Sequence, residues 1–394
     1  MFKPIIFEHH IFPGDSTSKL FISYKIPYNN LVFVKSNSHY TGSVSVSFNV
    51  FNDEQIIARE TCTDTISITD YELTNSKNHS LEGLIEFELK KGTYTIQPEL
   101  EIQNTQVSIQ LEKFDIKIEE EYRTKILSPF IVYQGKVICN KDSLYRLVNH
   151  SNSIPFSPDD YSILLQIRDT AIKEALVKFV QKEKTIFEKN IAPAISKLAT
   201  PTKCSGNIIL KPNGDINSEM IVIDNVSNIL EEGPAKLIVK EGDKEYEYFF
   251  DVRWIDKPRS LMNPEFAIER LRIIENKKTV DSLLSNDTEV YAEELFKYWK
   301  SKDPVNETAF NELMNEFYRR IDDANLRFQT TDNKMGADTD RGEILIKFGE
   351  PDSIERNYSD KDNILEIWKY EKINKQFIFA DNTGLGNFIL VRNE

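Results

Sequence analysis

Cysteine and histidine are scarce in this chain, and from Met335 to the end there is neither. The three cysteines, Cys62, Cys139 and Cys204, lie far apart and form no Cys-x-x-Cys pair. Such a set argues against a zinc site and against a disulfide framework, so all three are expected as small, buried or half-buried apolar residues. The histidines are His9, His10, His39, His79 and His150. Neighbours on a strand face opposite ways, which disfavours a metal held jointly by His9 and His10. A Ser-His-Asp or Cys-His nucleophile in the C-terminal part would need a histidine brought from another domain. No catalytic residue, metal ligand or cofactor is therefore assigned.

Long apolar runs are missing too. Nothing approaches the roughly 20 residues needed to span a bilayer as a helix. Runs of Lys and Arg are equally absent, and 49 basic against 63 acidic residues give a net charge of −14. An acidic surface repels phosphates and anionic headgroups, so nucleic acid is not an expected partner. The stretch Met1 to Ile11 has one lysine and short apolar runs broken by Pro4, Glu8, His9 and His10. It does not read as a signal peptide, which leaves a cytoplasmic chain or an exported one shown without its leader.

What is present is enough to build cores: 40% hydrophobic residues, with 11% aromatic, over 394 positions. That length predicts two or three domains. Residues 1–122 read as a β-sandwich, with Leu20 to Ile26, Val44 to Val50, Gln55 to Cys62, Leu84 to Leu89, Thr93 to Ile102 and Val107 to Ile118 as strands. Strict alternation in Val44-Ser45-Val46-Ser47-Phe48-Asn49-Val50 puts one face on a core. Asn52-Asp53 and Lys91-Gly92 are the turns between runs. Residues 123–255 read as a second sandwich. Gly206 to Leu210 and Ser218 to Ile223 are separated there by a turn at Pro212-Asn213-Gly214-Asp215, and Glu241-Gly242-Asp243 closes a hairpin. The stretch 170–182 fits helix or strand; the sandwich context favours a hairpin of 161–168 with 175–188.

Residues 256–394 change character, with Asp256-Lys257-Pro258-Arg259-Ser260 as linker. Helices are expected from Pro264, over Val290 to Ser301, and over Glu307 to Phe328 with Asn306 as N-cap. Phe310, Leu313, Met314, Phe317, Ile321, Ala324 and Phe328 form the apolar stripe of the last, and Glu316 with Arg320 an i,i+4 pair on its wet face. Strands follow at 343–348, 364–370, 375–380 and 387–391, making an α+β domain of helices then antiparallel sheet.

Within that segment stand Gly336-Ala337-Asp338-Thr339-Asp340-Arg341-Gly342, Gly349-x-Pro351-Asp352 and Trp368-x-Tyr370. Before them come Phe296-x-x-Trp299-Lys300-x-x-Asp303-Pro304 and Phe317-Tyr318-x-Arg320-Ile321-x-x-Ala324-Asn325-x-x-Phe328. In order and spacing this resembles the GWxTD-domain proteins, a bacterial family named for a Gly-Trp-x-Thr-Asp motif. Ser23 to Pro27 with Leu31-x-Phe33-Val34 is similar to the family's preceding segment. Ala337 stands where the motif has tryptophan. The resemblance implies an exported protein with sandwich-like N-terminal regions; it attaches no activity to the domain and leaves mechanism open.

Gly336, Asp338, Thr339, Asp340, Arg341, Gly342, Gly349, Pro351 and Trp368 are the candidate binding residues, and a structural role accounts for each. Gly336 would take a positive φ in a tight turn, and the Asp and Thr side chains would accept backbone amides. Arg341 would fork onto a carboxylate, such as one on the long helix, and Gly342 would let the chain enter a strand beside another backbone. Gly349 to Asp352 would stop a strand, Trp368 and Tyr370 would pack on the helices, and Gly384-Leu385-Gly386 would turn a hairpin. Asp332, Asp338, Asp340 and Glu343 as a cation loop match no EF-hand order. Two functions remain open. One is a non-enzymatic, exported structural or protein-interaction component of a cell envelope. The other is a carboxylate-based enzyme acting on envelope polysaccharide, which predicts a cleft between the second and third domains with two facing carboxylates roughly 5–10 Å apart.

Overall fold

A computed structural model describes residues 5–14, 16–103, 105, 107–118, 126–168, 172–305, 307–330, 334–360 and 363–393. The chain forms two compact units, Met1–Trp254 and Ile255–Glu394. Asn306 and Asp332, expected as a helix cap and a loop carboxylate, lie outside the described residues.

The N-terminal unit opens with β1 (Ile6–Phe12), β2 (Ser18–Pro27), β3 (Phe33–Ser36), β4 (His39–Asn52), β5 (Gln55–Ile68), β6 (Ser80–Leu89), β7 (Gly92–Ile102), β8 (Ser108–Gln110) and β9 (Phe114–Ile118). One sheet has the order β1-β2-β6; the other runs β3-β4-β7-β8, with β5 also on β4 and β9 on β7. Their facing residues, Ile22, Tyr24, Phe48, Val50, Ile85 and Ile96 among them, form one core. Fully burying a side chain such as Phe48 stabilises by about 1.5–3 kcal/mol. The turn at Asn52-Asp53 places Asp53 at φ 52°, which an aspartate tolerates.

The unit continues with β10 (Phe130–Tyr133), β11 (Val137–Cys139), β12 (Asp142–Arg146), β13 (Ser153–Pro155), β14 (Tyr161–Ile167), β15 (Ala175–Gln181), β16 (Lys184–Ile191), β17 (Ala194–Cys204), β18 (Asn207–Ile223), β19 (Gly233–Glu241) and β20 (Lys244–Arg253), with a short helix α1 (Val226–Ile229) after β18. One sheet is ordered β10-β14-β18-β12-β11, with β17 also on β18; the other is β13-β20-β19-β15-β16. All these pairings are antiparallel except the three-residue pairing of β13 with β20. The two sandwiches share an interior: Phe12 and Phe21, on the back of the β1-β2-β6 sheet, pack with Phe130, Val132, Leu147 and Leu164. Sheet faces are thus covered on both sides, which is why every residue of β14 is buried, Ser162 and Gln166 included.

Two expectations for this unit are corrected. The stretches 161–167 and 175–181 are both strands but not a hairpin: β14 pairs with β10 and β18, while β15 pairs with β16 and β19 in the opposite sheet. The chain crosses between sheets there, and periodicity carries no information about which sheet a strand joins. The stretch expected as a turn, 212–215, lies within the span of β18 but at a break in its pairing: the register on β17 jumps from Pro212 opposite Ala199 to Asn217 opposite Lys197. Cys139 and Cys204 are joined as a disulfide across 65 residues, leaving Cys62 as the free cysteine. Wide spacing in sequence says nothing of distance once β12, β17 and β18 bring the two together.

A buried polar network also ties the sandwiches. The Glu8 carboxylate, 2% exposed, accepts the backbone amides of His150 (3.2 Å) and Asn152 (3.0 Å) and meets the His10 ring at 2.7 Å. Asn149 accepts from Ser23 Oγ (2.9 Å) and donates to the Tyr24 carbonyl (3.2 Å). Burial alone would raise the Glu8 pKa, but the hydrogen bond and charge of His10, with the two amides, hold it below the usual carboxylate value.

The C-terminal unit has α2 (Pro264–Arg270), α3 (Lys277–Leu284), α4 (Tyr291–Lys302), α5 (Glu312–Phe328) and α6 (Asp340–Phe348), then β21 (Ser353–Asp360), β22 (Asn363–Tyr370), β23 (Lys375–Asp381) and β24 (Ile389–Asn393). The strands form one antiparallel meander in chain order. Asn263, Asn276 and Asn311 cap α2, α3 and α5, each accepting an amide of the first turn. The expected start of the long helix at Glu307 moves to Glu312, since Asn311 supplies the cap. The expected strand 343–348 is instead the body of α6. A short apolar run fits either period, and the caps decide it: Thr339 Oγ1 accepts from the Gly342 amide (3.1 Å), and Gly349 closes the helix at φ 80°. Among the described residues no helix is long and apolar enough to cross a membrane, which says nothing of β-barrels.

Candidate functional site

The motif segment lies across α5, and its glycines are there for closeness. A Cβ on Gly336 would overlap the Ala324 carbonyl oxygen of α5, and one on Gly342 would overlap the Gly336 carbonyl oxygen. Gly336 therefore does not serve as the positive-φ turn residue expected of it; its φ is outside the left-handed region. Gly342 does permit close backbone approach, but in a helix rather than a strand. Ala337 is 1% exposed, and its amide donates to Asn325 Oδ1 on α5 (2.9 Å). Thr339 donates to the Gly336 carbonyl (2.7 Å) while capping α6.

The acidic and basic motif residues are each engaged. Asp338 pairs with Arg270 of α2. Asp340 Oδ2 accepts the Leu390 amide (2.6 Å), fastening the start of α6 to β24. Arg341, 9% exposed, has its guanidinium between the rings of Phe328 (4.7 Å) and Phe388 (4.1 Å). It donates to the Gly386 carbonyl (3.1 Å) and reaches Glu366 Oε1 (3.5 Å). Its carboxylate partner thus sits on β22, and not on the long helix as expected. Burial pushes the Arg341 pKa down, partly offset by Glu366.

Glu366 is the hub. It is 2% exposed, accepts Trp368 Nε1 (2.8 Å) at Oε1 and Arg356 Nε (2.7 Å) at Oε2. Trp368 is fully buried against Phe328 and Phe379, with ring centroids at 5.7 and 5.1 Å. Asp381 closes the far end: Oδ1 accepts the Thr383 and Gly384 amides, each at 3.0 Å, and Oδ2 the Gly386 amide at 2.6 Å. Burial raises the Asp381 pKa, yet these amides outweigh it and hold the carboxyl below its ordinary value. They set the loop whose Gly386 carbonyl receives Arg341.

Gly349-Glu350-Pro351-Asp352 stops a helix, not a strand. The Gly349 amide bonds to Leu345 O (2.8 Å), and its own carbonyl accepts from Tyr370 Oη (2.9 Å). The Arg320 guanidinium lies 2.9 Å from where a Cβ on Gly349 would be, with Arg320 Nε on Glu316 (2.7 Å). Glu350 pairs with Arg327, and Asp352 Oδ2 accepts the Glu371 amide (2.7 Å) after Pro351 has turned the chain into β21. Trp368 and Tyr370 pack inward as expected.

The structure thus gathers Gly336, Asp338, Thr339, Asp340, Arg341, Gly342 and Trp368 around α5, while Gly349 and Pro351 stand at the far end of α6. Glu366, Asp381, Asn325 and Phe388 were not anticipated. A signal for Glu366 existed: it falls on the same strand face as Trp368 and Tyr370, a charge on an otherwise apolar period-2 face. Asp381-Asn382-Thr383-Gly384 likewise has the makings of an Asx turn. Among the described residues, no group of three or more His, Cys, Asp or Glu is placed to hold a metal ion.

These contacts define an α+β module in which two helices and a four-stranded meander are locked by a buried Arg-Glu pair. Residues 239–394 match the family model described as the GWxTD domain, so the chain carries a GWxTD domain. The match begins inside β19, ahead of the C-terminal unit. No curated protein matches the chain.

Proposed function

We propose that the chain is a non-enzymatic, exported structural or protein-interaction component of a bacterial cell envelope, with a protein as its partner. The observation that carries this reading is the open edge of the C-terminal sheet. Among the described residues β24 pairs with β23 alone; its Leu390 amide is taken by Asp340, while Ile389 and Val391 on it are 51% and 56% exposed, with Leu385 at 70% in the loop before. Unpaired strand edges with apolar side chains are templates for an added strand from a partner. The Cys139–Cys204 disulfide favours an oxidising compartment, which suits export.

The enzymatic alternative needs two free, facing carboxylates. In the meander and motif, Glu366, Asp381, Asp340 and Asp338 are each taken up by arginine or backbone amides. A photo-crosslinking residue at Val391, compared with one at the exposed Ile195 of β17, tests the reading in native cells. Adducts to a discrete protein from Val391 alone support it. Adducts from neither position, together with cleavage of envelope polysaccharide by the purified chain, would replace it with the enzymatic one.

A further inference from the structure

Within the N-terminal unit, a cleft of about 700 Å³ opens where the first sandwich meets the second. That volume lies within the roughly 300–1,000 Å³ of small-molecule sites. Its walls come from β2, β6, β10, β12 and the β17–β18 turn. In a chain of net charge −14 it is lined by Lys25, Arg146 and Lys203. Their counter-charges are few. Lys203 pairs with Asp64. Lys25 and Arg146 share the single carboxylate of Glu82, at 3.9 and 3.4 Å, and that carboxylate also accepts the Ile208 amide at 3.1 Å. Three cations against two directly paired carboxylates leave one positive charge in excess at short range, with the buried Glu8 acting on Lys25 from further off.

The geometry is unsaturated as well. Arg146 Nε is buried without a hydrogen-bond partner, although its guanidinium lies over the Tyr133 ring at 4.9 Å. Lys25 Nζ also reaches the Val148 carbonyl (3.5 Å), and burial, only partly offset by Glu82, holds its pKa below the ordinary value. The remaining lining mixes polar and aromatic groups with the aliphatic Ile66 and Leu81. Asn78, Ser80 and Ser205 offer donors and acceptors, and Tyr28 stacks with His79 at the wall. Ring faces beside hydroxyl and amide groups suit a pyranose, whose C–H face is apolar and whose rim is polar. The excess of one charge suits a single carboxylate better than a phosphate dianion.

We propose that this cleft binds an acidic monosaccharide of the uronate class, its carboxylate between Lys25 and Arg146 and its hydroxyls on the serine and asparagine side chains. This goes beyond the envelope reading and does not depend on it. The disulfide contributes indirectly, since Cys204 adjoins Lys203 and Ser205 and so ties the cleft wall to β11.

The experiment is titration of the full chain with sodium glucuronate, glucose and sodium acetate at constant ionic strength, by calorimetry and by chemical shifts. Glucuronate is expected to bind at least roughly tenfold more tightly than either control, as a charge-assisted pair plus hydroxyl contacts requires. Arg146→Gln should weaken glucuronate roughly tenfold or more. Asn78→Trp, which fills the mouth from an exposed loop and removes no charge, should abolish binding; it carries the test should Arg146→Gln not fold. Equal binding of acetate would reduce the cleft to a bare anion trap and overturn the saccharide assignment. Equal binding of glucose, no glucuronate binding up to its solubility, or full binding by the folded Asn78→Trp variant would overturn the proposal.

Discussion

Replacing Arg341 by alanine is the sharpest way to ask whether the motif is scaffold. The guanidinium makes one hydrogen bond to the Gly386 carbonyl, one long contact to Glu366, and lies on two aromatic faces. A hydrogen bond to a charged group contributes about 1.5–3 kcal/mol. Each ring face adds about 0.5–1 kcal/mol at such a half-desolvated site. Removing one partner of a buried pair commonly costs about 3–5 kcal/mol, because the other charge is stranded. Here Glu366 keeps Arg356 and Trp368, so the stranding component is small. The expected loss is therefore about 3–4 kcal/mol. The three tryptophans make the assay specific: Trp299 and Trp368 lie in the C-terminal unit, and Trp254 ends the other. At a urea slope of about 2 kcal/mol/M, the fluorescence midpoint of that unit should fall by about 1.5–2 M. Arg341→Lys should fall between, since an ammonium cannot bond Glu366 and Gly386 from one plane. The double variant with Glu366→Gln should lose less than the two singles together, as directly coupled residues do. A loss below about 1 kcal/mol for Arg341→Ala would refute the clamp and return the guanidinium to the pool of ligand-binding groups.

Gly336→Ala should destabilise the same unit by about 2–4 kcal/mol, because the new methyl overlaps a helix carbonyl that cannot move without α5 shifting; proton exchange of α5 amides would report it. Cys139→Ser, or reduction, should lower the stability of the N-terminal unit by about 4 kcal/mol on the chain-entropy estimate for a loop of this length, read by urea unfolding with and without reductant. Glu8 and Asp381 both have folded pKa values below their ordinary ones, so each contributes stability that is fully present above the unfolded value and is lost as pH falls through the folded value. Urea midpoints followed downward from about pH 6 should fall below about pH 4.5, and Asp381→Asn should flatten that slope in the C-terminal unit alone.

The β-rich class and the sequence of sandwiches followed by helices and a meander were legible because alternation reports burial directly. Val44 to Val50 is the clearest case, and the register of β4 against β7 places its apolar set on the core as read. What failed were decisions that local pattern underdetermines. The run Glu343 to Phe348 is too short for period alone to distinguish helix from strand, and the deciding information lay outside it, in Thr339 and Gly349. Strand partners of β14 and β15, and the meeting of Cys139 with Cys204, are set by topology at separations that no window spans. At the candidate site, the motif residues were visible but their partners were not. Arg341 advertises a need for a carboxylate; only the sheet says that Glu366 meets it.

The alanine at position 337 bears on where function can reside. The contact that anchors this position to α5 is made by its backbone amide to Asn325, and the contacts on either side are glycine backbones and the Thr339 hydroxyl. None of these requires an indole. The polar framework of the motif is therefore complete without the tryptophan that gives the family its name, and Ala337 is itself buried. The side chain at 337 is sequestered and the hydrogen bonds around it are internal, the arrangement of a packing element. Recognition by this chain is then to be sought where charge or backbone is left unmatched. Two such places stand out among the described residues: the exposed edge of β24, and the cleft in which Lys25 and Arg146 share one carboxylate.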